Sequence, residues 1–124
     1  MLSDQERSIL SDKAMVHVGA VDADCRPHVS PVWADLDDDG NVVINTAAGR
    51  VKDRLLQPGA PVALSATRPG NDYESILVRG RVARRTTEGA DEQIDRLAKK
   101  YLDADTYPFR QEGEQRITVV IEPA

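Results

Sequence analysis

At 124 residues, with 40% hydrophobic and 30% charged side chains, the chain has the length of one domain and an ordinary globular composition. Its 21 acidic against 16 basic residues leave a net charge of −5, which argues against a general nucleic-acid surface. No apolar run approaches the ~20 residues of a membrane helix. The charged start "MLSDQERSIL" lacks a signal-peptide core, and the lone Cys25 excludes an internal disulfide framework. The expectation is a cytoplasmic protein that touches neither membrane nor nucleic acid.

The first element in chain order is a short helix. Ser3 followed three residues later by Glu6 makes a capping box, with Ile9 and Leu10 as its apolar face. "AMVHVGAVD" reads as an apolar strand, and "PHVSPVWADLD" as a second, alternating one. Pro31 cannot donate to a ladder, so that second strand belongs at an edge, carries a bulge, or faces something other than a neighbouring strand. "DDDG" turns the chain into the strand "NVVINT", and "GRVKDRLL" reads as a short helical turn ended by "QPG". "PVALSATR" and "YESILVRGRVARRT" form a hairpin in which Gly80 marks a bulge or a close backbone approach. The one long helix is "EGADEQIDRLAKKYLDAD", with Ile94, Leu97, Ala98, Tyr101 and Leu102 as an apolar stripe. "QRITVVIEP" is the last strand. Six strands, few helices and no strand–helix alternation predict a mainly β fold, a small antiparallel barrel, and argue against a Rossmann sheet.

One stretch concentrates positive charge in this acidic chain. "TAAGRVKDR" carries Arg50, Lys52 and Arg54 at the start of a short helix, whose unpaired N–H groups already make that end positive. A bound phosphate would resolve the conflict, held by backbone N–H groups at Gly49 and by the cations. A solvated turn with Asp53 as partner is the plainer alternative. No Walker loop occurs anywhere in the chain. Cys25 and His28 make a lone C-x-x-H pair, too little for a zinc site, so no metal is expected. His17, in mid-strand, reads as structural, and His28 as either solvated or adjacent to a ligand.

Taken together and in order, "RPHVSPVW", "DDDGNVVINT", "GRVKDRL" and "YESILVRGRV" resemble the pyridoxamine-phosphate-oxidase-like flavin and deazaflavin oxidoreductases. More narrowly, they are similar to the class B, coenzyme F-420-dependent branch. The resemblance runs from about Ala14 to Pro123 and implies one cofactor-binding split barrel over residues 1–124, six-stranded and homodimeric. It implies that Arg50 and Lys52, with Arg54 behind them, gather the cofactor phosphate. Asn45, Thr46 and Ala47 would follow the phosphate and ribityl arm, and Ser30, Pro31, Val32 and Trp33 the ring. The implied activity is hydride transfer by F-420 to a small organic substrate, with no protein acid–base dyad required. FMN on the same fold, as oxidase or carrier, is the alternative, and haem in the groove a further one. Arg79, Arg81, Arg84 and Arg85 are candidates for the F-420 oligoglutamate tail. The chain closes at "IEPA", which makes pyridoxamine phosphate oxidation itself the less expected activity. With one Trp, three Tyr and one Phe, few rings are expected against a flat substrate.

Overall fold

In the computed structural model, which describes residues 1–124, Ser3 caps α1 (Asp4–Ser11) as its pattern predicts. The Ser3 hydroxyl accepts from the Glu6 N–H at 3.1 Å, and the Glu6 carboxylate accepts from the Ser3 N–H at 2.8 Å. Ile9 and Leu10 are buried and fasten α1 onto the sheet.

Seven strands follow, not six. They are β1 (Val16–Val21), β2 (Pro27–Val32), β3 (Ala34–Leu36), β4 (Val42–Ala47), β5 (Pro61–Arg68), β6 (Asn71–Thr86) and β7 (Arg116–Pro123). The short helix α2 (Val51–Leu55) lies between β4 and β5, and α3 (Ala90–Leu102) between β6 and β7. The extra strand arises because the stretch read as one strand breaks at Trp33. All ladders are antiparallel, in the order β2-β1-β5-β6-β7-β4-β3. Consecutive strands β2 and β3 are therefore the two opposite edges of one curled sheet, joined through a single residue. Pro31 sits in an edge strand, where one side has no partner strand to miss its N–H.

β6 spans both halves of the barrel, pairing β5 through residues 71–81 and β7 through residues 80–86. Its register slips between Val82 and Arg84, so Ala83 is an extra residue that bends the strand. At the bend Gly80 supplies the close approach its position suggests: a Cβ there would lie 2.3 Å from the Glu122 carbonyl oxygen.

The core is the inner face of this sheet. Val42 opposes Ile121 and Ile44 opposes Val119, and all four are fully buried with Val16, Leu56 and Leu64 beside them. Each such side chain contributes about 1.5–3 kcal/mol on burial. Outside the barrel, α3 buries Ile94, Leu97 and Ala98, while Leu102, at the helix end, is 46% exposed and leaves the expected stripe. The Lys100 ammonium donates to the carbonyls of Leu10 and Ala34 at 2.7 and 2.6 Å. The Tyr101 hydroxyl donates to the Ala14 carbonyl at 2.7 Å and accepts from the Ala34 N–H at 3.1 Å. These bonds lock α3 against the β2–β3 junction and so fix the backbone at Ala34, immediately after Trp33.

Candidate functional site

The turn from β4 into α2 is assembled by two of its own charged residues, Asp53 and Arg54, and by Arg85 from β6. Gly49, at φ +88°, takes a conformation open to glycine, and its N–H donates to the Asp53 carboxylate at 2.8 Å. Arg54 donates back to the Gly49 carbonyl at 2.9 Å. From β6, Arg85 donates to the carbonyls of Asp53 and Leu56 at 2.7 and 3.0 Å and pairs with the Asp53 carboxylate. That pairing, then the Gly49 N–H, holds the Asp53 carboxyl below the usual range. Arg54, Asp53 and Arg85 thus build the turn, and Arg85 is not free to meet a distant ligand.

Arg50 and Lys52 remain. Arg50 is half-exposed, and its nearest carboxylate, Glu114, is 3.9 Å away. Lys52 is half-buried and makes no ion pair. Burial first, then the positive charges of Arg50 and Arg116, push its ammonium below the ordinary lysine range. A cation disfavoured by desolvation and by like charge gains most from an arriving anion.

The residues the sequence singles out fall into two cavities along β2. Ser30 and Lys52 share a cavity of about 240 Å³ with Val18, His28 and Leu55, framed by β1, β2 and α2. Pro31, Val32, Trp33 and Asn45 line another, of about 200 Å³, with Tyr107 and Arg116. Arg50, Arg54, Thr46 and Ala47 line neither. Asn45 is buried with its amide engaged by the Ala90 carbonyl and Gln93, while its oxygen accepts from Arg116 at 2.7 Å. Thr46, one residue on, is 1% exposed, and its hydroxyl has no hydrogen-bond partner. Ala47 is buried, and its carbonyl accepts the Arg50 N–H at 3.3 Å.

His28 is exposed at the cavity lip, its Nε2 3.2 Å from Asp22. The Arg26 backbone N–H and then His28 bring the Asp22 carboxyl down to about 2. His17 is also solvent-facing, so it is no buried structural histidine.

Two functional features escape sequence reading. Arg116 is 4% exposed and bonds Glu114 at 2.6 Å, adding a second positive charge, after Arg50, that bears on Lys52. The aromatic side chains, though few, are concentrated: Trp33 stacks on Tyr101 at 5.3 Å and meets Tyr107 edge-on at 5.9 Å. Tyr107 in turn meets Phe109 at 5.7 Å. The run "YPF" after the long helix was the available signal.

A curled seven-stranded antiparallel sheet, its two edge strands joined through Trp33, is the architecture of a split barrel. The chain belongs to the pyridoxamine 5'-phosphate oxidase family, whose model matches residues 3–123. Among solved structures it is similar to an F420 reductase, 24% identical over 99% of this chain and 96% of that one, with a TM-score of 0.83. A conserved hypothetical protein from Mycobacterium tuberculosis is 18% identical, covering 99% and 81%, at a TM-score of 0.69. An FAD- and haem-binding protein from Mycobacterium smegmatis is 17% identical, covering 100% and 68%, at 0.66. These likenesses establish the shared fold. No curated protein matches the chain.

Proposed function

We propose that the protein is an oxidoreductase that uses the deazaflavin coenzyme F-420. The observation that carries this reading is Lys52: half-buried, without a carboxylate partner, and pressed by Arg50 and Arg116. An anionic phosphate satisfies all three conditions at once. The buried, unpartnered Thr46 hydroxyl one strand-end away offers a further polar contact for such a ligand. Arg50 and Lys52 would hold the phosphate, with Arg54 behind them because its guanidinium already serves the Gly49 carbonyl. Asn45, Thr46 and Ala47 would follow the arm, and Ser30, Pro31, Val32 and Trp33 the ring. When bound, the deazaflavin supplies hydride transfer at a ring carbon, and the chain supplies orientation and exclusion of water. No proton-transferring side chain is assigned.

FMN presents the same phosphate. The preference for F-420 rests on the extra cations its acidic tail needs: Arg79 and Arg84 make no ion pair, while Arg81 lies 3.7 Å from Glu122. Titrating the purified protein with oxidised F-420 and with FMN, by quenching of cofactor fluorescence, is expected to give the tighter binding for F-420. Equal or tighter binding of FMN would overturn the preference.

The same reading includes a homodimer in the cytoplasm. No helix is long and apolar enough to cross a membrane. Val29, 69% exposed on the edge strand β2, and Val21, 44% exposed beside it, form an apolar edge suited to a second copy. Light scattering at micromolar concentration is expected to report twice the chain mass. A monomer there sinks the dimer.

A further inference from the structure

The cavity beside Trp33 has a composition of its own. Its rings come from separate parts of the chain, Trp33 from the β2–β3 junction and Tyr107 and Phe109 from the segment after α3. Set among them is one almost fully buried cation. The Arg116 guanidinium lies 5.1 Å from the centre of the Tyr107 ring, donates through Nε to Asn45 at 2.7 Å and through Nη1 to Glu114 at 2.6 Å. Its Nη2 has no acceptor in the protein. Glu114 is the one carboxylate bonded to this group, and it is shared by two cations, Arg116 at 2.6 Å and Arg50 at 3.9 Å. The local balance is positive although the chain as a whole is negative.

A buried cation at the wall of an aromatic cavity suits a flat apolar molecule with one negative end. Ring edges and faces pack against the flat part, and the guanidinium fork matches a carboxylate. The rim is open: Phe109 is 62% exposed and Met15 48% exposed, so a small molecule can enter. The volume of about 200 Å³ is below that of a typical drug-sized pocket and restricts the occupant to a small molecule.

We propose that this cavity binds a small aromatic carboxylate, its rings among Trp33, Tyr107 and Phe109 and its carboxylate on Arg116. That the acid binds does not rest on the F-420 reading; as hydride acceptor it would share this cavity with the deazaflavin ring, which that reading sets against Pro31, Val32 and Trp33.

The test therefore uses the protein without cofactor. Trp33 is the sole tryptophan, so its indole N–H gives a single resonance in a nitrogen–proton correlation spectrum. The probes are 2-naphthoate and its neutral counterpart 2-naphthylmethanol. Naphthoate is expected to shift the Trp33 resonance saturably and to bind at least about tenfold more tightly than the alcohol. Arg116→Met is expected to abolish that difference. Because this change also strands Glu114 and Asn45, Phe109→Ala is the companion variant; it removes only a rim ring and is expected to weaken both probes several-fold. Equal affinity for acid and alcohol in the unaltered protein overturns the carboxylate assignment. A Trp33 resonance that does not saturate with naphthoate overturns the site. Loss of F-420 binding with naphthoate binding intact counts against the cofactor reading alone.

Discussion

Lys52→Ala is expected to weaken F-420 binding by roughly 10- to 150-fold while leaving the unliganded protein as stable as before or slightly more so. A charge-assisted hydrogen bond to phosphate is worth about 1.5–3 kcal/mol, and about 1.4 kcal/mol is a factor of ten. The stability sign follows from the lysine's depressed proton affinity. A lysine whose folded value lies below its unfolded 10.5 is penalised when charged. The penalty is complete below the folded value and lifts as pH rises through 10.5, so at neutral pH removing the ammonium relieves it. Arg50→Ala is expected to act in the same direction but less strongly, because Arg50 stands half in solvent and leans toward Glu114. Asp53→Ala is the contrasting control. It leaves Arg85 and the Gly49 N–H without their shared acceptor and is expected to cost about 2 kcal/mol of stability. The Asp53 contribution is present above 3.8 and is lost as pH falls through the lower folded value. Thermal melts without cofactor and titration with it separate the two classes. Normal binding by Lys52→Ala, together with a melt well below that of the unaltered chain, would mean that the cluster serves the fold.

Gly80→Ala is expected to be the most destabilising single methyl in the molecule, costing more than about 3 kcal/mol. The added carbon would lie 2.3 Å from the Glu122 carbonyl oxygen and 3.2 Å from the Pro123 Cα, and both are backbone atoms of β7. No side chain can swing aside, so relief requires separating β6 from β7 where the barrel bends. Gly19→Ala provides the comparison, since its Cβ meets nothing closer than the Ala63 carbonyl at 3.7 Å, an ordinary contact. Urea unfolding is expected to show a large loss for the first and little change from crowding for the second. A Gly80→Ala midpoint within experimental error of the unaltered protein would show that β7 yields at low cost.

Local chemistry made parts of this architecture readable. Ser3 and Glu6 announce a capping box because both partners lie within one helical turn. Pro31 announces an edge because a missing donor has few tolerable places, and Gly80 a close approach because only hydrogen fits there. The break at Trp33 was not readable. Nothing in "SPVWAD" departs from strand alternation, and the switch between sheet edges is imposed by pairing with residues far along the chain, β1 on one side and β4 on the other. The charged site divides in the same way. Arg50, Lys52, Asp53 and Arg54 are neighbours in sequence and stand out together. Arg85 and Arg116 come from β6 and β7, and Glu114 from the segment just before β7, and a sequence carries no marker of that convergence.

The position of β7 between β6 and β4 bears on how the chain comes to be folded at all. The hairpin of β3 and β4 has no ladder to the rest of the sheet except through β7, which follows β4 by some 70 residues. Until β7 emerges, β4 carries an unpaired, strongly apolar edge, and α3 lacks the strand it packs against most. Pairings of this sequence separation are slow to form, because loop-closure entropy is lost before any contact compensates it. On the ribosome the first half of the barrel waits for the last strand, in the interval when β-rich chains are most exposed to misassociation.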